Sequence, residues 1–461
     1  MSPVIRNRRQ PSDLTGGDVT AALDRIRERD AGMADEAGHV YETLTWGEGP
    51  QQLRRAGVQD WLWYRLATKY LTDEVGYMGR LAETAGVLFD ELGLDAYAAL
   101  CRDETTAGVH AAFERSNGDG YKAMRKAMDA SGILPPDLDD FAWGGVMGFE
   151  EANARSAAED ALEAAIHDGD VVVGGRGWRN RQREVAAGAL DGDHPGQPGQ
   201  TWRTAVITER LEDWVRTGSM RSERVGRRRA DLANRLLHPI DPPAGVSDLM
   251  APVTWLLDRF GDEQALTQAG YLNRAFVVAV HDEDPWDDEF RGARPPTSET
   301  DVPILHSLRG WLQAAGALRK RGKVLRRTER GASMATDPTA AWKVFTGSIS
   351  SPGWDRFVFD DAATILLSNH GSLPQDDLYR GVAADAEELG WRLSDDGVSK
   401  PPSVRDVRWT LGPSWRLVEL FGFGTTTGEW KSRVMSLTPA GEATMLAMLR
   451  GSATGPKERP W

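Results

Sequence analysis

Cysteine, lysine and long apolar runs are scarce in this chain of 461 residues. Cys101 is its one cysteine, which excludes an internal disulfide and a zinc site built on cysteines. No apolar run approaches the ~18 residues of a membrane helix, and the N-terminal segment lacks the apolar stretch of a secretory signal. We therefore predict a cytoplasmic protein with no membrane partner. The eight dispersed histidines predict no metal site, and no motif indicates a cofactor.

Lysine accounts for only 9 of the 55 basic residues, which leaves 46 arginines. This bias is typical of a GC-rich bacterium, so arginine-rich segments indicate anion binding less strongly here than elsewhere. The net charge of −14 is also unevenly spread, because residues 1–170 alone hold 17 basic and 31 acidic side chains. The remaining residues are close to neutral, so the bulk charge does not exclude a nucleic acid as their partner.

The first 170 residues predict an acidic helical domain. Apolar side chains from Met78 to Leu92 recur at spacings of three, four and seven, and Gly93 follows as a C-cap. Further helices are predicted at 61–70, 104–115, 121–130 and 150–167, with a turn at 117–120.

Residues 171–245 predict a basic connector with a short hairpin or helix. A short β-like run at Val171–Val173 enters a glycine-rich turn at 174–177, and an exposed loop follows at 190–199. The turn lacks the Lys-Ser/Thr pair of a P-loop, which favours a tight turn over a phosphate site. Candidate anion-binding residues in the connector are Arg227, Arg228 and Arg229.

An internal repeat is the most informative pattern in the chain. Thr328 and Gly331 recur 110 residues later as Thr438 and Gly441. Each pair follows a helix, a glycine that ends it and a β-hairpin, and each threonine is a good N-cap for the next helix. The first copy predicts helices at 253–260 and 271–281, a helix from 302 and a strand at 324–325. The second predicts helices at 360–368 and 376–389, a helix through 415–421, a turn at 425–429 and a strand at 434–437.

This series resembles the winged-helix family and, more loosely, uncharacterised actinobacterial proteins. The resemblance implies a mainly α fold in which an acidic helical N-terminal domain is followed by two winged-helix modules, each with a small β-hairpin. The predicted divisions are the helical domain 1–170, the connector 171–245, module one 246–350, module two 351–451 and a flexible tail 452–461.

In winged helices, a recognition helix enters the major groove and the hairpin, or wing, lies over phosphates. The first wing fits this role, because residues 316–334 contain seven basic residues against Glu329 alone. Candidate nucleic-acid contacts on the first module are Arg319, Lys320, Arg321, Lys323, Arg326 and Arg327 of the wing and His306, Ser307, Arg309 and Gln313 of the helix. Those on the second module are Arg405, Arg408, Trp409, Arg416, Lys431 and Arg433.

The sequence leaves three functions open. The first is a nucleic-acid-binding regulatory or defence-associated protein, with DNA favoured over RNA. The second is an adaptor whose acidic domain binds a protein partner, since winged helices also dock proteins and the acidic run 282–289 can pair with the wing internally. The third is a DNA glycosylase-like enzyme, but no trusted glutamine or carboxylate motif accompanies Gln264 and Gln268, so we predict no catalytic residue. Trp311, Trp342, Trp409 and Trp415 are predicted to be core residues, because they fall in phase with apolar neighbours.

Overall fold

The computed structural model describes residues 7–70, 74, 76–283, 286, 294–349, 353–395, 398–429 and 432–457. The protein is mainly helical, with small antiparallel sheets. It divides into two compact units, Met1–Val206 with Pro456–Trp461 and Ile207–Gly455. The segment predicted as a connector, 171–245, is therefore shared between the two units.

The first unit is built from helices and short helical turns in its described residues. A π-helical turn lies at Trp61–Arg65, and 3-10 turns lie at Pro11–Asp13 and Pro50–Gln52. Its helices are α1 (Gly16–Arg27), α2 (Ala31–Thr45), α3 (Arg55–Asp60), α4 (Leu66–Thr68), α5 (Tyr77–Leu92), α6 (Asp95–Arg102), α7 (Glu104–Arg115), α8 (Asn117–Ser131), α9 (Phe149–Asp168) and α10 (Trp178–Leu190). Helix α11 (Trp202–Ser219) contains the boundary between the units.

The periodicity predictions for this unit are largely confirmed. Helices α5, α7 and α9 lie where the apolar spacing places them, and Gly93 ends α5 in the left-handed conformation with φ of 77°. The predicted turn at 117–120 is wrong, because these residues form the first turn of α8. The Ser116 hydroxyl caps that helix by accepting the Asp119 N–H at 3.1 Å.

The β-like run at Val171–Val173 is also wrong, since these residues form bends and turns after α9. The Val171 N–H donates to the Ala165 carbonyl at 3.0 Å, which folds the chain back onto the end of α9. Val171 is buried there, whereas Val172 is exposed. A β-branched run therefore closes a helix here, because its first side chain packs against that helix.

The second unit combines helices with three small sheets in its described residues. A 3-10 turn lies at Glu299–Asp301. The elements are α12 (Glu223–Leu236), α13 (Val246–Leu249), α14 (Ala251–Phe260), β1 (Glu263–Ala265), α15 (Arg274–Glu283), α16 (Pro303–Ala314), β2 (Leu318–Arg321), β3 (Val324–Arg327), α17 (Glu329–Thr336), α18 (Pro338–Ser348), α19 (Trp354–Ser368), β4 (Ser372–Pro374), α20 (Gln375–Glu388), β5 (Leu393–Asp395), β6 (Val398–Lys400), α21 (Val404–Leu420), β7 (Gly424–Thr427), β8 (Val434–Leu437) and α22 (Pro439–Thr454).

Two predictions near the second hairpin differ from the structure. The turn predicted at 425–429 is wrong at its start, because Thr425–Thr427 belong to β7 and pair with β8. Helix α22 extends to Thr454, into the segment that the sequence predicts as a flexible tail.

The two copies of the sequence repeat share one order of elements. In each, a helix, a short strand, two helices and a hairpin follow one another, and the sheets run β1-β3-β2 and β4-β8-β7; the second copy has the β5-β6 hairpin in addition, between its two helices. The first strand and the hairpin of each copy pair antiparallel. We call residues 251–336 the first repeat and residues 354–454 the second repeat.

The repeated threonines and glycines have the same role in both copies. Thr328 and Thr438 each donate from Oγ1 at 2.8 Å to the carbonyl of the glycine that ends the preceding helix. Each Oγ1 also accepts the N–H of the repeated glycine, Gly331 or Gly441, at 3.1 Å. A Cβ on either glycine would fall on the carbonyl oxygen of Ala317 or Phe423, so the spacing found in the sequence reflects a shared close approach.

The two repeats share one hydrophobic core. The Trp311 ring of α16 lies 5.4 Å from Phe345 of α18, and Phe345 lies 5.0 Å from Phe421, which follows α21. Edge-on aromatic contacts at such distances stabilise the packing beyond the area they bury. The repeats are therefore two halves of one packed body.

Candidate nucleic-acid interface

The hairpin of the first repeat presents three of its arginines on the outer face of a three-stranded sheet. We call residues 318–327 the cationic hairpin. Leu318 and Leu325 are buried on the inner face, so Arg319, Arg321 and Arg326 point outward by strand alternation. Gly322 makes the turn with φ of 61°, a conformation that glycine adopts without strain.

The hairpin cations fall into two groups by their partners. Arg326 pairs with Glu263 at 2.9 Å, and Arg327 donates to Asp262 and to the Leu257 carbonyl, both at 3.3 Å. The second group is exposed and forms no ion pair within the part of the chain that the structure describes. Its members are Arg319, Lys320, Arg321 and Lys323.

A cleft of about 600 Å³ adjoins the cationic hairpin. Its lining includes Arg319, Lys320 and the start of α17, where Thr328 is the N-cap. Arg330 also lines it and donates to the Ala315 carbonyl at 2.9 Å. The cleft thus combines Arg319, Lys320 and Arg330 with the positive end of a helix, and Glu329 is the acid in its lining.

The structure describes part of the acidic run 282–289, which the sequence predicts as an internal partner of the wing. Glu283 pairs with Arg259 at 2.7 Å, and Asp282 contacts His281 at 3.3 Å. Residues 284–285 and 287–289 lie outside the described residues. Neither visible acid pairs with the cationic hairpin.

On α16, the proposed recognition helix, Arg309 is only 9% exposed. Its Nε donates to Glu299 Oε1 at 2.6 Å, and Nη1 donates to Gln313 Oε1 at 2.8 Å. Glu299 is fully buried and also accepts the Leu272 N–H at 2.7 Å, while His306 Nδ1 lies 3.0 Å from its Oε1. These partners occupy Arg309 inside the protein.

Helices α16 and α21, the two expected recognition helices, pack against each other. Arg416 of α21 donates from Nε to Ser307 Oγ of α16 at 3.4 Å. The exposed positions left on α16 are His306, Gly310 and Ala314, which carry no permanent charge. This helix therefore offers little to a phosphate backbone.

The charged residues of the second repeat lie at different positions from those of the first. Thr425, Ser436 and Ser372 occupy one cross-strand row, and the hydroxyls of the two serines lie 2.8 Å apart. Arg433 is half-buried, and its carbonyl accepts the Gln375 N–H at 2.8 Å. Lys431 lies outside the described residues.

The exposed cations of α21 lie near its N-terminus. Arg405 is exposed, and Arg408 pairs with Asp376 at 3.2 Å while its guanidinium lies 5.5 Å from the centre of the Tyr379 ring. Trp409 is 71% exposed, so its prediction as a core residue is wrong. The same prediction for Trp311, Trp342 and Trp415 is confirmed, since all three are buried.

The arginines of the predicted connector lie on α12 and face different surroundings. Arg227 is exposed and pairs with Glu223 one turn earlier at 2.6 Å. Arg228 is 16% exposed and pairs with Asp385 and Asp361. Arg229 donates to the Trp214 carbonyl at 2.8 Å and lies over the Trp214 ring. Arg228 and Arg229 thus join α12 to the body of the second unit.

Burial raises the pKa of the two buried aspartates beside Arg228 and Arg229, Asp360 and Asp361. It raises the pKa of Asp361 to about 7 and that of the neighbouring Asp360 to about 6, and nearby arginines only partly offset it. Burial also lowers the pKa of Arg228. A buried cluster of this kind holds helices together and presents no charge to a polyanion.

Sequence reasoning missed the burial of Arg309, although a signal was present. Leu305 and Leu312 lie four residues before and three residues after Arg309, which places the arginine beside the apolar face of α16. It also missed strands β1 and β4 and the β5-β6 hairpin, which have three residues each and no clear alternation.

Among the described residues, no helix has both the length and the apolar character needed to cross a membrane. No group of three or more histidine, cysteine or carboxylate side chains in the described ranges is arranged to hold a metal ion. Comparison of the chain with family models, curated proteins and solved structures gives no match, so the proposals below rest on its own geometry.

Proposed function

We propose that the protein binds duplex DNA through the cationic hairpin, as a regulatory or defence-associated protein. One observation carries the proposal. Arg319, Lys320, Arg321 and Lys323 are exposed together and have no ion-pair partner within the described residues. Unpaired cations at one edge of a sheet are suited to a phosphate backbone, since phosphate contacts supply most of the non-specific affinity for DNA.

The order of elements also supports the proposal. Each repeat has a helix, a strand, two helices and a hairpin, which is the order that the winged-helix resemblance implies. In this proposal the first hairpin corresponds to the wing. The proposed contact is nevertheless made by the hairpin and the adjoining cleft, because α16 packs on α21 and its arginine is internal. Recognition of sequence through α16 is not part of the proposal.

A salt series tests the proposal. Fluorescence anisotropy with a labelled DNA duplex, starting at about 50 mM salt, should show binding whose affinity falls steeply as salt rises. A matched RNA duplex in parallel tests whether the hairpin distinguishes the two backbones. Absence of binding to every nucleic-acid probe at the lowest salt would contradict the proposal and favour the protein-adaptor alternative.

A further inference from the structure

The N-terminal end of α21 has no counterpart in α16. The Ala317 N–H donates to the Leu312 carbonyl at 2.9 Å, and the Phe423 N–H donates to the Val418 carbonyl at the same distance. When Leu312 is matched to Val418 in this way, the first residue of α16, Pro303, corresponds to Trp409. The preceding residues, 404–408, form an added helical segment in the second repeat. We call residues 404–409 the α21 extension.

The α21 extension is held firmly in place. Ser403 caps it in a capping box: its Oγ accepts the Asp406 N–H at 3.4 Å, and the Asp406 carboxylate accepts the Ser403 N–H at 2.8 Å and the Ser403 hydroxyl at 2.7 Å. Val407 and Leu411 are buried in the core. The Trp354 indole donates to Thr410 Oγ1 at 2.9 Å, which fixes the next turn. The segment is therefore a preformed surface.

This anchoring directs the Trp409 ring outward. Each residue turns an α-helix by about 100°, so Trp409 lies about 200° from both Val407 and Leu411. With those two side chains in the core, Trp409 must face solvent, and its ring is 71% exposed. Arg405 lies one turn earlier on the same face, and Arg408 is adjacent. The exposed ring of Trp409 thus lies beside Arg405, while Arg408 is directed to Asp376 at 3.2 Å.

We propose that Trp409 stacks on an unpaired base, while Arg405 contacts a phosphate beside it. Every base offers a flat face to an aromatic ring, and cations that follow the backbone complete a site for a single strand. A paired base is already stacked on both sides, so it gives the indole no such face. The exposed guanidinium of Arg405 one turn from the ring favours a nucleic acid over an apolar protein partner at this surface.

This inference rests on the proposed function and narrows its substrate. The cationic hairpin holds a duplex, and the α21 extension holds a single strand. A DNA in which a duplex continues into a single-stranded tail therefore fits the protein better than a blunt duplex of the same length. The preferred ligand is a junction between double-stranded and single-stranded DNA.

The test compares blunt and tailed duplexes with the full-length protein. Wild-type protein should bind the tailed duplex about tenfold more tightly or better, since stacking on one base is worth about that much. Trp409→Ala should remove this preference and leave blunt-duplex affinity unchanged, whereas Trp409→Phe should retain part of it. Because the ring is exposed, the alanine variant should unfold at the same temperature as wild type.

A second readout reports stacking directly. A 2-aminopurine base placed in the tail should lose fluorescence on binding wild-type protein and keep it on binding Trp409→Ala. The variant Arg405→Gln should reduce the salt dependence of the tail contribution by about 0.7, the value for one phosphate that is no longer neutralised.

The possible outcomes distinguish this inference from the proposed function on which it rests. Binding to the blunt duplex without any tail preference would overturn the inference, leave the proposed function standing and favour a protein as the partner of Trp409. An unchanged tail preference in Trp409→Ala would also overturn it. Absence of binding to both duplexes would overturn the proposed function itself.

Discussion

Arg309 donates from Nε to Glu299 Oε1 at 2.6 Å in the interior of the first repeat. Glu299 begins the 3-10 turn that precedes α16. Its other carboxylate oxygen, Oε2, accepts the Leu272 N–H at 2.7 Å. One carboxylate therefore joins α16, the turn before it and the chain entering α15. An arginine that the sequence assigns to DNA thus holds the repeat together.

Breaking this pair should destabilise the protein without changing how it binds DNA. Arg309→Met leaves the Glu299 carboxylate buried with less compensation, and removal of one partner of a buried pair costs about 3–5 kcal/mol. Chemical unfolding should show that loss, while the affinity of the folded protein for duplex DNA and its salt dependence stay at wild-type values. A reduced salt dependence with normal stability would instead place Arg309 at the DNA.

The repeated glycines make a second prediction about stability. In Gly331→Ala and Gly441→Ala, the new Cβ meets the carbonyl oxygen of Ala317 or Phe423, so the backbone must shift at a cost of about 1–3 kcal/mol. Gly310→Ala is the matched control, because this glycine lies inside α16 with open space at its Cβ. The control should gain up to about 1 kcal/mol from helix propensity. Equal effects at all three positions in thermal unfolding would refute the shared close approach.

The pH dependence of stability tests the buried cluster at α12. Burial raises the pKa of Asp361 from 3.8 to about 7, so the folded protein holds a proton that the unfolded chain releases. Its contribution to stability is therefore present below about pH 4 and is lost as the pH rises to about 7. Up to about 4 kcal/mol is involved, at about 1.4 kcal/mol per pKa unit.

Asp361→Asn isolates this contribution. The variant keeps the pair between Arg228 and Asp385, and it cannot ionise at position 361. Relative to wild type, its free energy of unfolding should therefore increase from pH 5 to pH 8. A difference that is the same at both pH values, or that changes in the opposite direction, would show that Asp361 is ionised throughout.

The local pattern of the sequence predicts much of the fold. Apolar periodicity places α5, α7 and α9, and the spacing of Thr328 and Gly331 against Thr438 and Gly441 identifies the repeat. These features succeed because caps and apolar stripes act within one or two turns. Ser116 shows the limit, since its capping hydroxyl makes a helix start from a segment with two glycines that reads as a turn.

Relationships between distant residues account for what the sequence does not predict. Arg228 meets Asp385, 157 residues away, and Arg416 meets Ser307, 109 residues away. No local pattern marks either pairing. Trp409 differs, because its prediction as a core residue is wrong although a local signal is present: it lies two residues from both Val407 and Leu411, which places it on the opposite side of the helix. At the hairpin, the outward direction of Arg319, Arg321 and Arg326 follows from strand alternation.

The most direct test of the central claim is the salt dependence of duplex binding after the cationic hairpin is neutralised. The variant changes Arg319, Lys320, Arg321 and Lys323 to glutamine. The matched control makes the same change at four exposed cations of the first unit, Lys122, Arg125, Lys126 and Arg183. Both variants remove four positive charges, so only the place of the change differs. Our account predicts that the hairpin variant binds duplex DNA more weakly and that its log–log salt slope falls by about 0.9 for each phosphate that is no longer neutralised, while the control stays close to wild type. Equal slopes for the hairpin variant and wild type would contradict it.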